Sequence, residues 1–174
     1  RQLLPEFLAR IEREAAHARA GRGGHIRIKL NGLSEPDVVS ALFRASQDGV
    51  RVELLVRGVC TLRPGVAGMS ENIYVVSVLG RFLEHTRVFY FANAGSPEYY
   101  IGSADLRPRN LRRRVELLAP VTDRNCCAQL DTLLDTYFQD PTAWELTSAG
   151  EYVRRHGGGP AAQEQLMGAL APAY

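Results

Sequence analysis

Apolar residues near the N-terminus recur at helical spacing. Leu3, Leu4, Phe7, Leu8 and Ile11 predict an amphipathic helix over residues 2–20, ended by Gly21, Gly23 and Gly24. The period then shortens to two. His25–Leu30 reads as a strand, with Ile26, Ile28 and Leu30 on one face. Pro36, behind Ser34 or Glu35, opens a second helix that runs to about Asp48 and stops at Gly49. Val50–Val56 is a hydrophobic strand. Strand, helix and strand within about 30 residues form a βαβ unit, which predicts a parallel pair with a right-handed crossover.

Beyond the Gly/Pro loop at Arg63–Gly68, Ile73–Val78 reads as a third strand. Phe82–His85 leads into a strand at Arg87–Phe91, Asn93–Pro97 is a turn, and Glu98–Gly102 returns as a strand. Pro108–Leu111 reads as one helical turn, and Arg113–Ala119 as another strand. Asp123–Phe138 is a helix with Asp123 as its cap and a stripe of Leu130, Leu133, Leu134 and Phe138. Trp144 is expected at a core edge. After Arg154 the composition turns to Gly, Pro, Ala and Gln, so residues 1–153 are expected to form the domain and 154–174 a flexible tail. Helices alternating with strands give an α/β class, a mixed sheet flanked by helices.

With 174 residues, 45% of them hydrophobic, the chain suits one domain with a buried core and excludes global disorder. No apolar run reaches the length of a membrane span, which takes roughly 18 residues or more, and the first residues lack a signal peptide's apolar centre. The chain starts on Arg1 rather than Met, so it reads as a piece of a longer protein. Cys60, Cys126 and Cys127 show no metal-ligand spacing and are expected as small core residues in a reducing compartment. The net charge of +2 is uninformative, but its distribution is not: Lys29 is the single lysine. Arg107, Arg109, Arg112, Arg113 and Arg114 fall within eight residues that contain no acid. Guanidinium forks suit phosphate oxygens. A phosphate-rich partner and a solvated basic face both fit that run.

Four histidines are candidates for chemistry. His17 lies on the polar side of the first helix, His25 starts a strand and His156 sits beside a glycine run; each is expected as surface decoration. His85 stands before the alternating Arg87–Phe91, and Gly102-Ser103-Ala104-Asp105 follows one hairpin later. Ser103 and Asp105 sit at a strand end, where ligands bind in α/β sheets, and Arg57 at the end of the βαβ unit is expected to face the same crevice. On the predicted strand Arg114 and Glu116 share a face, so Glu116 would orient an imidazole or pair with Arg114. Imidazole, hydroxyl and guanidiniums together suit phosphoryl transfer; a structural ion pair is the other use for Arg57 and Arg114.

Residues 102–116, GSADLRPRNLRRRVE, resemble the second half of the phospholipase D superfamily motif, which reads roughly GSxNxxxRSxxxxNxE after an HxK strand. Gly102, Ser103, Arg109 and Glu116 match. Asp105, Asn110 and Arg114 depart from it, and Arg87 stands in the Lys position. One branch fits better. Ile28-Lys29-Leu30-Asn31, Leu55-Val56-Arg57-Gly58, Leu62-Arg63-Pro64-Gly65 and Ser70-Glu71-Asn72 resemble polyphosphate kinases of the long-chain, histidine-phosphorylating type. So do Gly80-Arg81-Phe82-Leu83-Glu84-His85 and Ser103-Ala104-Asp105 with Arg109-Asn110. The likeness spans about Leu3 to Val153, with Leu106 standing where the pattern has Trp.

The resemblance implies a phospholipase-D-like mixed sheet flanked by helices, forming the C-terminal catalytic half of an enzyme that moves the terminal phosphate of ATP reversibly onto polyphosphate. It implies a phosphohistidine on the preceding domain of the same chain, with His85 as the second histidine, transferring a proton or binding the phosphate. Arg57, His85, Ser103, Arg109 and Arg114 would bind ATP or phosphate, supported by Asp105 and Glu116. Magnesium would take its ligands mostly from the missing half, with none from this chain. A homo-oligomeric full-length form, and a cytoplasmic or peripherally membrane-associated location, follow from the same likeness. The alternatives are a phosphodiesterase or phosphatidyltransferase half of the superfamily, and an arginine-rich polyanion-binding module.

Overall fold

A computed structural model describes residues 3–170; residue 2 of the expected first helix and the last four residues of the expected tail lie outside that range. The chain runs α1 (Leu3–Arg19), β1 (His25–Leu30), α2 (Pro36–Gln47), β2 (Arg51–Val56), β3 (Ile73–Ser77), β4 (Val88–Phe91) and β5 (Glu98–Gly102). It continues through α3 (Pro108–Arg113), β6 (Leu118–Val121), α4 (Arg124–Phe138), β7 (Trp144–Leu146), β8 (Tyr152–Arg154) and α5 (Ala162–Leu170). One eight-stranded sheet results, in the order β6-β5-β4-β1-β2-β3-β7-β8. β1, β2 and β3 are parallel, and every other pairing is antiparallel. The mixed α/β sheet expected from the pattern is therefore present.

β1 and β2 are buried along nearly their whole length, as central parallel strands covered on both faces must be. Alternation divides their side chains between two cores. Ile26, Ile28 and Leu30 join Phe7, Ile11, Val38 and Leu42 under α1 and α2. On the other face Leu55, Val76 and Val88 meet Leu134, Tyr137 and Phe138 of α4 and Ala162 of α5. Burial of each such aliphatic side chain is worth about 1.5–3 kcal/mol.

The helix caps follow the chemistry only in part. Asp123 accepts from the Cys126 amide at 2.9 Å. Glu35, the residue before α2, makes no side-chain cap; its carboxylate accepts instead from Arg112 Nε at 3.0 Å. The strand expected over Arg113–Ala119 begins only at Leu118, because α3 continues through Arg113 and the chain to Leu117 has no regular structure. The stretch expected as a tail carries the end of β8 and all of α5, with Ala162 and Gln163 buried. Cys60 and Cys127 are half-buried and Cys126 is exposed; all three are free thiols. No helix among the described residues is long and apolar enough to cross a membrane.

Candidate functional site

At the C-terminal ends of β1 and β2 the chain turns through Asn31 and Arg57, and two loops converge there. The first, residues 78–87, joins β3 to β4 without regular structure and carries His85. Its fixed point is Glu84, 5% exposed. One carboxylate oxygen of Glu84 lies 2.9 Å from Lys29 Nζ, and the other accepts from Gln163 Nε2 at 2.6 Å. The Glu84 carbonyl accepts from Arg57 Nη1 at 3.0 Å. With the Asn31 amide oriented to satisfy both its ends, its nitrogen donates to that same carbonyl at 2.6 Å and its oxygen accepts from Arg87 Nη2 at 2.7 Å.

Lys29 is 1% exposed and lies 4.7 Å from the centre of the Tyr137 ring. Burial pushes its ammonium below its ordinary value, although Glu84 works to raise it. Burial likewise works to raise the Glu84 carboxyl, but hydrogen bonds from Lys29 and Gln163 outweigh it, and the group is held below its ordinary value. Tyr137 is pushed up by burial and by its hydrogen bond to Glu84.

His85 itself is exposed. Arg87 Nη1 donates to the His85 carbonyl at 3.0 Å and stands 3.1 Å from its Nδ1. Arg87 also pairs with Asp105 through Nε at 3.2 Å, and Asp105 Oδ1 accepts from the Asn31 amide at 2.9 Å. His85, Arg87, Asp105, Asn31 and the Arg57–Glu84 pair thus form one connected cluster. Neither Arg57 nor His85 forms an ion pair with a carboxylate among the described residues; Arg57 spends one donor on the Glu84 carbonyl.

The second loop follows β5. A Cβ on Gly102 would come within 2.1 Å of the Leu117 carbonyl oxygen, so only glycine lets the chain entering β6 lie this close. Ser103 exchanges bonds with that chain: its amide donates to the Leu117 carbonyl at 3.0 Å, and its Oγ accepts from the Leu117 amide at 3.2 Å. The Ser103 hydroxyl donates to Glu116, whose other oxygen accepts from Asn110 Nδ2 at 2.7 Å. Glu116 therefore holds the serine. It neither orients the imidazole nor pairs with Arg114, because the predicted strand that would have set Glu116 and Arg114 side by side does not form.

The arginine run is divided in its use. Arg112 is committed to Glu35 and, at 2.6 Å, to Asp37. Arg107, Arg109 and Arg113 line a cleft of about 400 Å³ together with Ser34. Arg114 is exposed, and its side chain has no hydrogen bond or ion pair among the described residues. A larger cavity of about 550 Å³ lies at the opposite ends of β1 and β2, around His25, Arg27, Arg51 and Glu53. His25 there bonds Glu53 at 2.7 Å. Among the described residues no group of three or more His, Cys, Asp or Glu side chains stands close enough to hold a metal ion.

Sequence reasoning passed over Lys29, Asn31, Glu84 and Gln163. Lys29 carried a usable signal: the single lysine falls inside a strand of a βαβ unit, where both faces are buried and an ammonium requires an acid.

The order of the sheet, with a loop after β5 running back as Gly-Ser, defines a phospholipase-D-like domain. The fold is shared with a phospholipase D family member, Nuc, from Salmonella typhimurium, at a TM-score of 0.50 and 16% identity over 81% of this chain and 88% of that one. It is shared with NucT from Helicobacter pylori at a TM-score of 0.56 and 12% identity over 79% of this chain and 92% of that one. Within that class the chain belongs to the polyphosphate kinase family, because the family model for polyphosphate kinase C-terminal domain 2 matches residues 1–165. Polyphosphate kinase from Prochlorococcus marinus is 54% identical over 146 residues, 83% of this chain and 20% of that protein. That of Streptomyces coelicolor is 53% identical over 155 residues, 88% of this chain and 21% of that protein. The crystal structure of polyphosphate kinase from Porphyromonas gingivalis superposes with a TM-score of 0.92 at 33% identity, over 97% of this chain and 26% of that one. The chain thus spans about a fifth of the length of the curated relatives it matches. Leu106, where the family pattern has Trp, is fully buried in the core under α1 and α2.

Proposed function

We propose that this domain supplies one half of the phosphoryl-transfer site of an ATP:polyphosphate kinase, with His85 at the chemistry. The observation that supports this most is the cluster at the strand ends: an exposed imidazole flanked by Arg87, itself set by Asp105, with Arg57 on the preceding backbone carbonyl. In the proposed reaction a histidine of the preceding domain attacks the terminal phosphorus of ATP. The bond to the ADP oxygen breaks and a P–N bond forms. The terminal oxygen of polyphosphate then attacks that phosphorus, and the P–N bond breaks. Arg57 and Arg87 neutralise charge on the transferring group. His85 presents its imidazole beside Arg87 Nη1, which stands 3.1 Å from Nδ1 and 3.3 Å from Nε2, and transfers a proton to or from a bridging oxygen or binds the phosphate in flight.

Polyphosphate is gripped by Arg109, Arg113 and Arg114; Arg112 is withdrawn from that role by Glu35 and Asp37. Ser103, held between Glu116 and Leu117, is a weaker phosphate donor in this scheme. Magnesium does not fit the carboxylates here: Glu84 is spent on Lys29, Asp105 on Arg87 and Glu116 on Ser103 and Asn110. Its ligands would come mostly from the preceding domain. That domain would also cover the exposed Leu79, Leu83, Val115 and Leu117 around the two loops. One half-site cannot form the phosphohistidine, so the fragment alone makes no polyphosphate.

The test is His85→Ala in the whole protein. Turnover should fall at least about 10²–10⁴-fold, the usual worth of general acid–base help, with the circular dichroism spectrum unchanged. A folded variant with near-normal turnover would overturn the assignment.

A further inference from the structure

We propose that α5 is a latch on the histidine-bearing loop and that Gln163 is a positioning residue for His85; its catalytic consequence rests on the phosphoryl-transfer reading above. Beyond Val78, which is buried at its start, hydrophobic burial does not hold this loop. Leu79 is 64% and Leu83 74% exposed, and Phe82 is half-exposed. Polar contacts hold it, and one side chain supplies three of them. The Gln163 carboxamide accepts from the Phe82 amide at 2.9 Å, donates to the Phe82 carbonyl at 2.8 Å and donates to Glu84 at 2.6 Å. It thus acts as a neighbouring strand would, satisfying both backbone groups of Phe82, and it reaches the carboxylate that precedes His85.

The latch is anchored at its own base. Gln163 is 7% exposed and Ala162 is fully buried. The Ala162 amide donates at 2.8 Å to Asp140, which is also fully buried, and Leu166 packs against the core under α4. From the loop side, a Cβ on Gly80 would stand 2.4 Å from Gln163 Oε1. Gly80 therefore leaves the space in which the carboxamide sits. Adding a methyl group there displaces the far end of Gln163 without altering any charge.

Two measurements test the latch. In this chain, hydrogen exchange at the Phe82 amide should quicken about tenfold in Gln163→Ala, the equilibrium worth of roughly one hydrogen bond. Gln163→Met, which keeps the shape and loses the bonds, should exchange as fast as Gln163→Ala. Gly80→Ala should quicken exchange in the parent chain and add almost nothing in the Gln163→Ala background, since the two act on one contact. Val38→Ala, in the core under α1 and α2 and away from α5, serves as the packing control. In the whole protein, Gln163→Met should lower kcat about tenfold with the KM for polyphosphate unchanged, because the arginines of α3 are untouched. Val38→Ala should lower thermal stability while keeping kcat at temperatures well below unfolding. Unchanged Phe82 exchange in Gln163→Met overturns the latch. Faster exchange with an unchanged kcat overturns the positioning role. Retained turnover in His85→Ala instead overturns the phosphoryl-transfer reading, and the exchange result stands apart from it.

Discussion

The two loops that meet at the site are held by opposite means. The loop of residues 78–87 is fastened from beneath by buried groups: the Lys29–Glu84 pair, Tyr137, Gln163, and the carbonyl bonds from Arg57 and Asn31. The loop of residues 103–117 is seated by Ala104, Leu106 and Leu111 in the core, but its return to β6 is tied near the surface by the bond between Ser103 and Glu116, with Arg109, Arg113 and Arg114 exposed. A buried ionic hold is rigid, and it fails heavily when one member is removed. A surface hydrogen-bond hold is modest in every sense. The stiff loop carries the proposed chemistry and the softer one the proposed grip on a long anion, so precision and accommodation are placed on different segments.

The largest effect should come from the stiff side. Glu84→Ala strands Lys29 in the core and should cost about 3–5 kcal/mol in urea unfolding. Adding Lys29→Met should recover much of that loss, since replacing both members leaves no buried charge. A recovery of nothing would mean the pair is not the fastening it looks to be.

Acid should act on the same group. The Glu84 carboxyl is held below its ordinary value of 4.5, so its contribution is present in full above that pH and is lost as pH falls beneath it. Glu53, where burial is outweighed by bonds from His25 and Arg51, and Glu98, where Arg13 is the leading cause, have the same sign. Urea midpoints taken from about pH 6 to about pH 3 should fall steadily. Glu84→Gln should flatten that slope without abolishing it.

On the soft side, Glu116→Ala should cost about 1–2 kcal/mol, the worth of two partly exposed hydrogen bonds, and should free Ser103. Thermal unfolding checks the size; a loss as large as that of Glu84→Ala would erase the contrast between the loops. The smallest effect on stability belongs to Arg114→Ala, within about 0.5 kcal/mol, because its side chain has no partner among the described residues. The same change should nonetheless weaken polyphosphate binding in a salt-dependent way, and Arg114→Lys should restore only part of it.

Much of the fold was legible in the chain. The βαβ unit announces itself through period-two and period-3.6 patterns bounded by glycines, and the strands at Arg87–Phe91 and Glu98–Gly102 are separated by a readable turn. The misreading at Arg113–Ala119 has a physical cause. Val115 and Leu117 alternate with charges as strand residues do, yet both side chains are exposed in the structure; periodicity records a face without saying what covers it. α5 escaped notice because Ala, Gln and Gly carry weak signals, and its work is done by one carboxamide rather than by an apolar stripe. His85, Arg57 and Asp105 stood out as candidates in the sequence, through motif stretches and a strand end, and they lie in one cluster here. Their support did not stand out, since Glu84 meets Lys29 and Gln163 only after the sheet has brought three distant segments together.

That meeting also orders events during synthesis. Lys29 lies in the first strand of this domain, and its partners Glu84 and Tyr137 both come later in the chain. Until they emerge, the ammonium in the middle of β1 must remain hydrated, and the α4-facing side of that strand cannot close over it. Lys29, 1% exposed in the folded domain, thus spends the interval before Glu84 arrives as a hydrated ion.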